Sequence, residues 1–107
     1  MTHDLEKDLE INKHKLNVVE SLQRLSYNTD YKNVFNNYVF NSLLLSYNRD
    51  LANFNLTNEQ RNTIILKLTA ISTLQQELES LLSSKETLVQ LIKDTNDTIN
   101  KERYNHG

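Results

Sequence analysis

The feature that most constrains this chain is its lack of residues that break helices. Proline is absent, and the only glycine among 107 residues is the last one, Gly107. Strand hairpins, tight turns and glycine-rich ligand loops need these residues at defined positions. Long helices remain as the default. The sequence therefore predicts an all-α protein, with residues 1–107 forming a single helical domain.

Apolar residues are scarce and are arranged in stripes. They make up 37% of the chain, whereas globular domains usually contain roughly 45–50%. Such stripes can cover one face of each helix but cannot fill a thick core. We therefore expect an extended helical hairpin or a three-helix bundle with a long C-terminal helix, in which each chain shares its apolar stripes with a neighbour.

Helical spacing predicts three segments, at about 3–27, 31–52 and 58–104. Residues 28–30 and 53–56 separate them and are rich in the turn-forming residue asparagine. The first segment carries two adjacent apolar stripes, Leu5, Leu9, Leu16 and Val19 beside Ile11, Val18, Leu22 and Leu25.

The third segment begins with a capping box, in which Thr57 and Gln60 can satisfy each other's backbone amides. Its main apolar stripe consists of Ile64, Leu68, Ile71, Leu78, Leu82, Val89, Ile92 and Ile99. A second stripe consists of Leu74, Leu81, Leu88 and Leu91. We expect one continuous helix here. The alternative is a break near residues 83–84, because Ser83 and Glu86 also have capping-box spacing.

The chain lacks the residue patterns on which enzymatic catalysis usually depends. There is no cysteine, and none of His3, His14 and His106 has a serine partner at a catalytic spacing. Glu10 and His14 share a helix face, but a metal site needs three or four ligands. Without internal glycine there is no phosphate-binding loop. We therefore predict a non-enzymatic protein without cofactor, catalytic residue or metal.

The charge balance argues against nucleic acid as a direct partner. The chain has 12 basic and 14 acidic residues mixed along its length, and no basic stripe that would follow a phosphate backbone. No apolar run reaches the roughly 20 residues of a membrane span, and the N-terminus is charged where a signal peptide is apolar. We expect a protein partner, no membrane and intracellular synthesis.

The segment 33–48 stands out because it contains no charged residue in a chain that is 24% charged. Depletion of charge and enrichment in Tyr and Phe are typical of the centre of a protein–protein interface. The alternative is that this helix is the middle of the chain's own bundle. The two interpretations are compatible, because one face can pack in the core and the other can bind a partner. The candidate interface residues are Tyr31, Phe35, Tyr38, Phe40, Leu44 and Tyr47.

A regular α-helix would place most apolar residues of this segment on one broad side. The centre of that side would consist of Tyr31, Val34, Phe35, Tyr38, Leu45 and Ala52. It would be widened by Val39, Phe40, Leu43, Leu44, Tyr47 and Leu51.

Residues 22–32, together with later positions, resemble a family of small helical proteins encoded among bacteriophage structural genes. In that family a helix ends in Arg-Leu and is followed by Asn, one residue, Asp, an aromatic residue and Lys, as at Arg24–Lys32 here. An aromatic pair follows, matched by Tyr38 and Phe40, and a later Ala-Ile pair is matched by Ala70 and Ile71. Thr29 stands where the family often has Pro, which leaves this turn less rigid.

The resemblance, which covers about residues 14–104, implies a non-catalytic phage structural or assembly protein. It would be made in the host cytoplasm, associate with the virion, and form a homo-oligomer, bind a larger virion protein, or do both. The alternative is a small phage-encoded inhibitor or regulator that binds a host protein. A nucleic-acid packaging factor is a third hypothesis, which the charge balance disfavours.

Overall fold

The computed structural model describes residues 2–106, with side chains from 3 to 105, and within this range it contains helices and no strand. The helices are α1 (Thr2–Ser26), α2 (Thr29–Tyr31), a π-helical segment (Lys32–Leu43), α3 (Leu44–Leu51), α4 (Asn58–Ser83) and α5 (Lys85–His106). The predicted all-α class is confirmed.

The helices pack as two compact units. Met1–Gln23 and Ser80–Gly107 form the first, called the terminal unit below, and Arg24–Glu79 form the second, called the central unit. A single domain over the whole chain stays a prediction.

The terminal unit contains an antiparallel pairing of α1 with α5. Near one end, the Lys85 ammonium donates to the Gln23 side-chain oxygen over 2.9 Å. Near the other, the Arg103 guanidinium forms an ion pair with Glu6. Lys85, a polar interruption in the apolar stripe, therefore has a defined partner on α1. Both contacts fix the register of the two helices, although an exposed ion pair adds little stability.

Between residues 3 and 105, four apolar side chains are buried, and all four lie in the terminal unit. They are Val19, Leu22, Leu88 and Ile99. Leu88 therefore takes the place that the predicted main stripe gave to Val89, which is exposed. Leu88 and Val89 lie three and four residues after Lys85, and in a heptad pattern both positions face the partner side. A single partner helix covers only one flank of that side fully.

Asn28 stabilises the start of the helical segment that follows α1. Its side-chain oxygen accepts a hydrogen bond from the Tyr31 backbone amide over 3.1 Å, and its backbone is extended, with φ −71° and ψ 133°. Both are properties of an N-cap residue. Capping takes the place of the rigidity that a proline would give to this turn.

The central unit contains a helical hairpin, in which α3 and α4 are antiparallel and joined by residues 52–57. The Arg61 guanidinium donates to the backbone oxygens of Leu51, over 3.1 Å, and Asn53, over 3.4 Å. Leu51 ends α3 and Asn53 lies in the connection that follows it. Because the last carbonyls of a helix lack intrahelical partners, the arginine supplies one for Leu51. The Lys67 ammonium lies 5.6 Å from the centre of the Tyr47 ring, a cation–π distance.

The predicted capping box at the start of α4 is confirmed. The Thr57 amide donates to the Gln60 side chain over 3.0 Å, and the Gln60 amide donates to the Thr57 hydroxyl over 3.1 Å. Both bonds satisfy amides that a helix N-terminus leaves unpaired.

Replacing Thr57 by Ala is expected to lower the free energy of unfolding by about 1 kcal/mol, the usual cost of losing an N-cap. Thr69→Ala is the matched control, because the Thr69 hydroxyl only bonds back to the Ile65 carbonyl within α4. Urea titration followed by circular dichroism measures both. Equal losses in the two variants would contradict a capping role for Thr57.

The expectation of a continuous C-terminal helix is wrong, because α4 ends at Ser83 and α5 begins at Lys85. The Ser83 hydroxyl donates to the Ser80 carbonyl over 3.0 Å, and the Ser84 hydroxyl donates to the Leu81 carbonyl over 2.6 Å. Such back-bonding competes with the backbone hydrogen bonds and bends helices. Ser83 therefore acts on the preceding turn and not as the start of a capping box with Glu86.

Candidate interaction surface

The charge-free segment is wound mainly as a π-helix, over Lys32–Leu43. A π-helix is closed by i→i+5 hydrogen bonds and has about 4.4 residues per turn, against 3.6 in an α-helix. Most π-helices are single turns, often found at functional sites. Twelve residues is therefore an unusual length, and it changes which side chains of the segment share a side.

The π winding brings three aromatic rings together along one side of the segment. The Tyr31 and Phe35 ring centres lie 4.8 Å apart, and those of Phe35 and Phe40 lie 6.0 Å apart. The sequence spacings of four and five match a helix with more than four residues per turn. These rings are half-buried, and tilted aromatic pairs at such distances stabilise each other beyond simple burial.

The candidate interface residues fall into two groups. Five of them are half-buried: Tyr31, Phe35, Phe40, Leu44 and Tyr47. Tyr38 is 55% exposed. The structure therefore places most of the set on the less exposed side of this helical stretch, here called the inner side. The use of these residues by a partner stays a prediction.

The expected broad apolar side is wrong for four of its six central members, which are exposed: Ala52 and the three larger residues that follow. Val34, Tyr38 and Leu45 are each more than half exposed, whereas Val39, Phe40, Leu43, Leu44, Tyr47 and Leu51 are half-buried. The cause is the winding, since a period above four residues turns Val34 and Tyr38 away from the side occupied by Phe35 and Phe40. Val34 and Tyr38, four residues apart and neighbours on the helix surface, define what we call the outer patch.

Amide side chains surround the outer patch. The Asn37 amide nitrogen donates to the Asn33 side-chain oxygen over 3.4 Å, and the Ser42 hydroxyl donates to the Asn37 backbone oxygen over 3.0 Å. The second bond spans five residues, the spacing that π winding brings together. Sequence reasoning missed this polar surround, although the density of asparagine between residues 33 and 48 was its signal.

Other surfaces of the two units also carry exposed apolar side chains. In the central unit, Leu66 on α4 is 70% exposed, and Ile65 and Leu74 are also exposed. In the terminal unit, Ile11 and Val18 are exposed on α1, as are Val89 and Leu91 on α5. Among described residues, exposed large apolar side chains thus outnumber buried ones by sixteen to four.

The grooves on the two units are shallow and differ in chemistry. One lies between α1 and α5 of the terminal unit and has a mixed charged and amide lining that includes Glu10, Lys13 and Asn96. Another, at the start of α4, is lined by Leu56, Glu59, Gln60, Thr63 and Ile64. In the part of the chain whose side chains are described, no three potential metal ligands come together. The candidate site is therefore a surface and not a cleft.

No helix among the described residues is both long enough and apolar enough to cross a membrane. Comparison of the chain with protein-family models, curated proteins and solved structures finds no match.

Proposed function

We propose that this chain is a non-enzymatic phage structural or assembly protein, which self-associates and docks on a larger virion protein through its helices. The observation that carries the proposal is the excess of exposed over buried large apolar side chains. Single exposed apolar residues are ordinary on protein surfaces. Here they occur on both units, while among the described residues four apolar side chains are buried, which favours burial against other molecules.

The charge-free segment supports the same proposal. Its inner side contributes aromatic contacts to the central unit. Its outer patch exposes Val34 and Tyr38 to solvent, and no residue from 33 to 48 is charged. Tyrosine is enriched, and charge depleted, at the centre of protein interfaces. The resemblance of residues 22–32 to phage structural-gene products supplies the biological setting of the proposal.

Mass spectrometry of purified particles of the phage that encodes the chain tests this function. A structural component gives peptides of this chain in a fixed ratio to the other virion proteins through successive purification steps. If the chain is an assembly factor, its peptides are found in immature particles and are lost on maturation. Absence from both kinds of particle, with one host protein retained stoichiometrically by the tagged chain, would contradict the proposal and favour the inhibitor alternative.

A further inference from the structure

We propose that a second copy of this chain covers the outer patch, so that two charge-free segments pair about a twofold axis. This inference rests on the self-association proposed above and names its surface. Val34 is 51% exposed and Tyr38 is 55% exposed. Both are held by a segment whose opposite side is already occupied by the Tyr31, Phe35 and Phe40 rings. The patch is therefore available without disturbing the inner contacts.

The absence of charge points to an identical partner. In a twofold interface each residue near the axis faces its own copy, so a charge there meets its like and repels it. The segment 33–48 has no charge to suffer this repulsion; Asp30 and Lys32 precede it, Asp30 four residues before Val34, and Arg49 follows it. A different protein is commonly selected through complementary charges that set register and partner choice, and residues 33–48 offer none.

The asparagines around the patch are also suited to pairing with themselves. A side-chain amide carries two donor hydrogens and an acceptor oxygen, so two copies of one amide-bearing surface can satisfy each other. Within this segment the exposed asparagines are Asn33, Asn36, Asn37, Asn41 and Asn48. The single bond between Asn33 and Asn37 leaves both amides with further donor and acceptor capacity.

The test compares the dimer dissociation constants of Tyr38→Asp, Val34→Asp and the control Leu66→Asp with that of the wild-type chain. All three replaced side chains are exposed, so each variant is expected to fold, which circular dichroism checks. Sedimentation equilibrium measures dissociation. We expect Tyr38→Asp and Val34→Asp each to weaken the dimer at least about 100-fold, because two carboxylates would meet in an apolar contact. Leu66→Asp should change it less than about threefold.

Two other outcomes would overturn this inference while leaving the proposed role in the phage particle standing. In the first, the wild type forms oligomers that Leu66→Asp weakens and Tyr38→Asp does not, which would place the contact on α4. In the second, the chain occurs in particles but is monomeric in solution, and Tyr38→Asp prevents its incorporation. The outer patch would then bind a different virion protein.

Discussion

Replacing Val19 by Asp is expected to unfold the terminal unit, whereas the same replacement at the adjacent Val18 is expected to leave it folded. Val19 is 1% exposed, and Val18 is 43% exposed. An aspartate at position 19 would have to be buried as an unpaired carboxylate or as a neutral acid without a hydrogen-bond partner. Either costs several kcal/mol, out of a total stability of about 5–15 kcal/mol for an ordinary domain.

Thermal unfolding followed by circular dichroism measures this pair of variants. We expect Val19→Asp to lose most of its cooperative transition and Val18→Asp to keep a midpoint close to that of the wild type. The two substitutions alter the same residue type, in the same helix, by the same charge, so they differ mainly in burial. Equal unfolding in both variants would contradict the burial of Val19 in the terminal unit.

The second large effect is expected from Phe35→Ala, which removes the ring that contacts both Tyr31 and Phe40. A fully buried Phe→Ala change costs about 3–5 kcal/mol, and a half-buried ring about 2 kcal/mol. Phe54→Ala is the control, because Phe54 is 98% exposed in the connection between α3 and α4. We expect its effect to stay within about 0.5 kcal/mol.

Urea unfolding followed by tyrosine fluorescence or circular dichroism measures the free-energy difference between these two variants. A loss in Phe54→Ala as large as that in Phe35→Ala would show that Phe54 is packed. A loss near zero in both variants would show that the aromatic contacts of Phe35 do not stabilise the protein.

The sequence predicted the features that depend on local chemistry. The all-α class followed from the lack of internal glycine and proline. The capping box followed from the chemistry of Thr57 and Gln60 alone, since the two residues bond each other's amides within one helical turn. Features of this kind need no knowledge of what packs against the helix.

The inner and outer sides of the charge-free segment could not be predicted in the same way, because the winding was taken to be α-helical. Assigning 3.6 residues per turn groups Val34 and Tyr38 with Tyr31 and Phe35, whereas the spacing of Tyr31, Phe35 and Phe40 fits a longer turn. The same apolar residues allow both patterns. The ring contacts of Phe35 with Tyr31 and Phe40 accompany the second pattern, and they cannot be read from the spacing alone.

The choice between Leu88 and Val89 is also a packing effect. Both side chains are apolar, Val89 in the predicted main stripe and Leu88 in the predicted second stripe. The pairing of Lys85 with Gln23 fixes the rotation of α5 that buries Leu88. The predicted main stripe holds elsewhere in α5, since Ile92 is half-buried and Ile99 is buried. Periodicity alone does not rank two adjacent apolar residues, because the partner helix decides which of them it covers.

The central claim is that other molecules, including further copies of the chain, cover apolar side chains that this chain leaves exposed. Light scattering on the purified chain, over a concentration series from about 1 to 500 μM, tests the homo-oligomeric part of the claim directly. The account predicts a mass that rises with concentration from 12.6 kDa toward an integral multiple. A folded species that keeps the monomer mass over the whole series would contradict it.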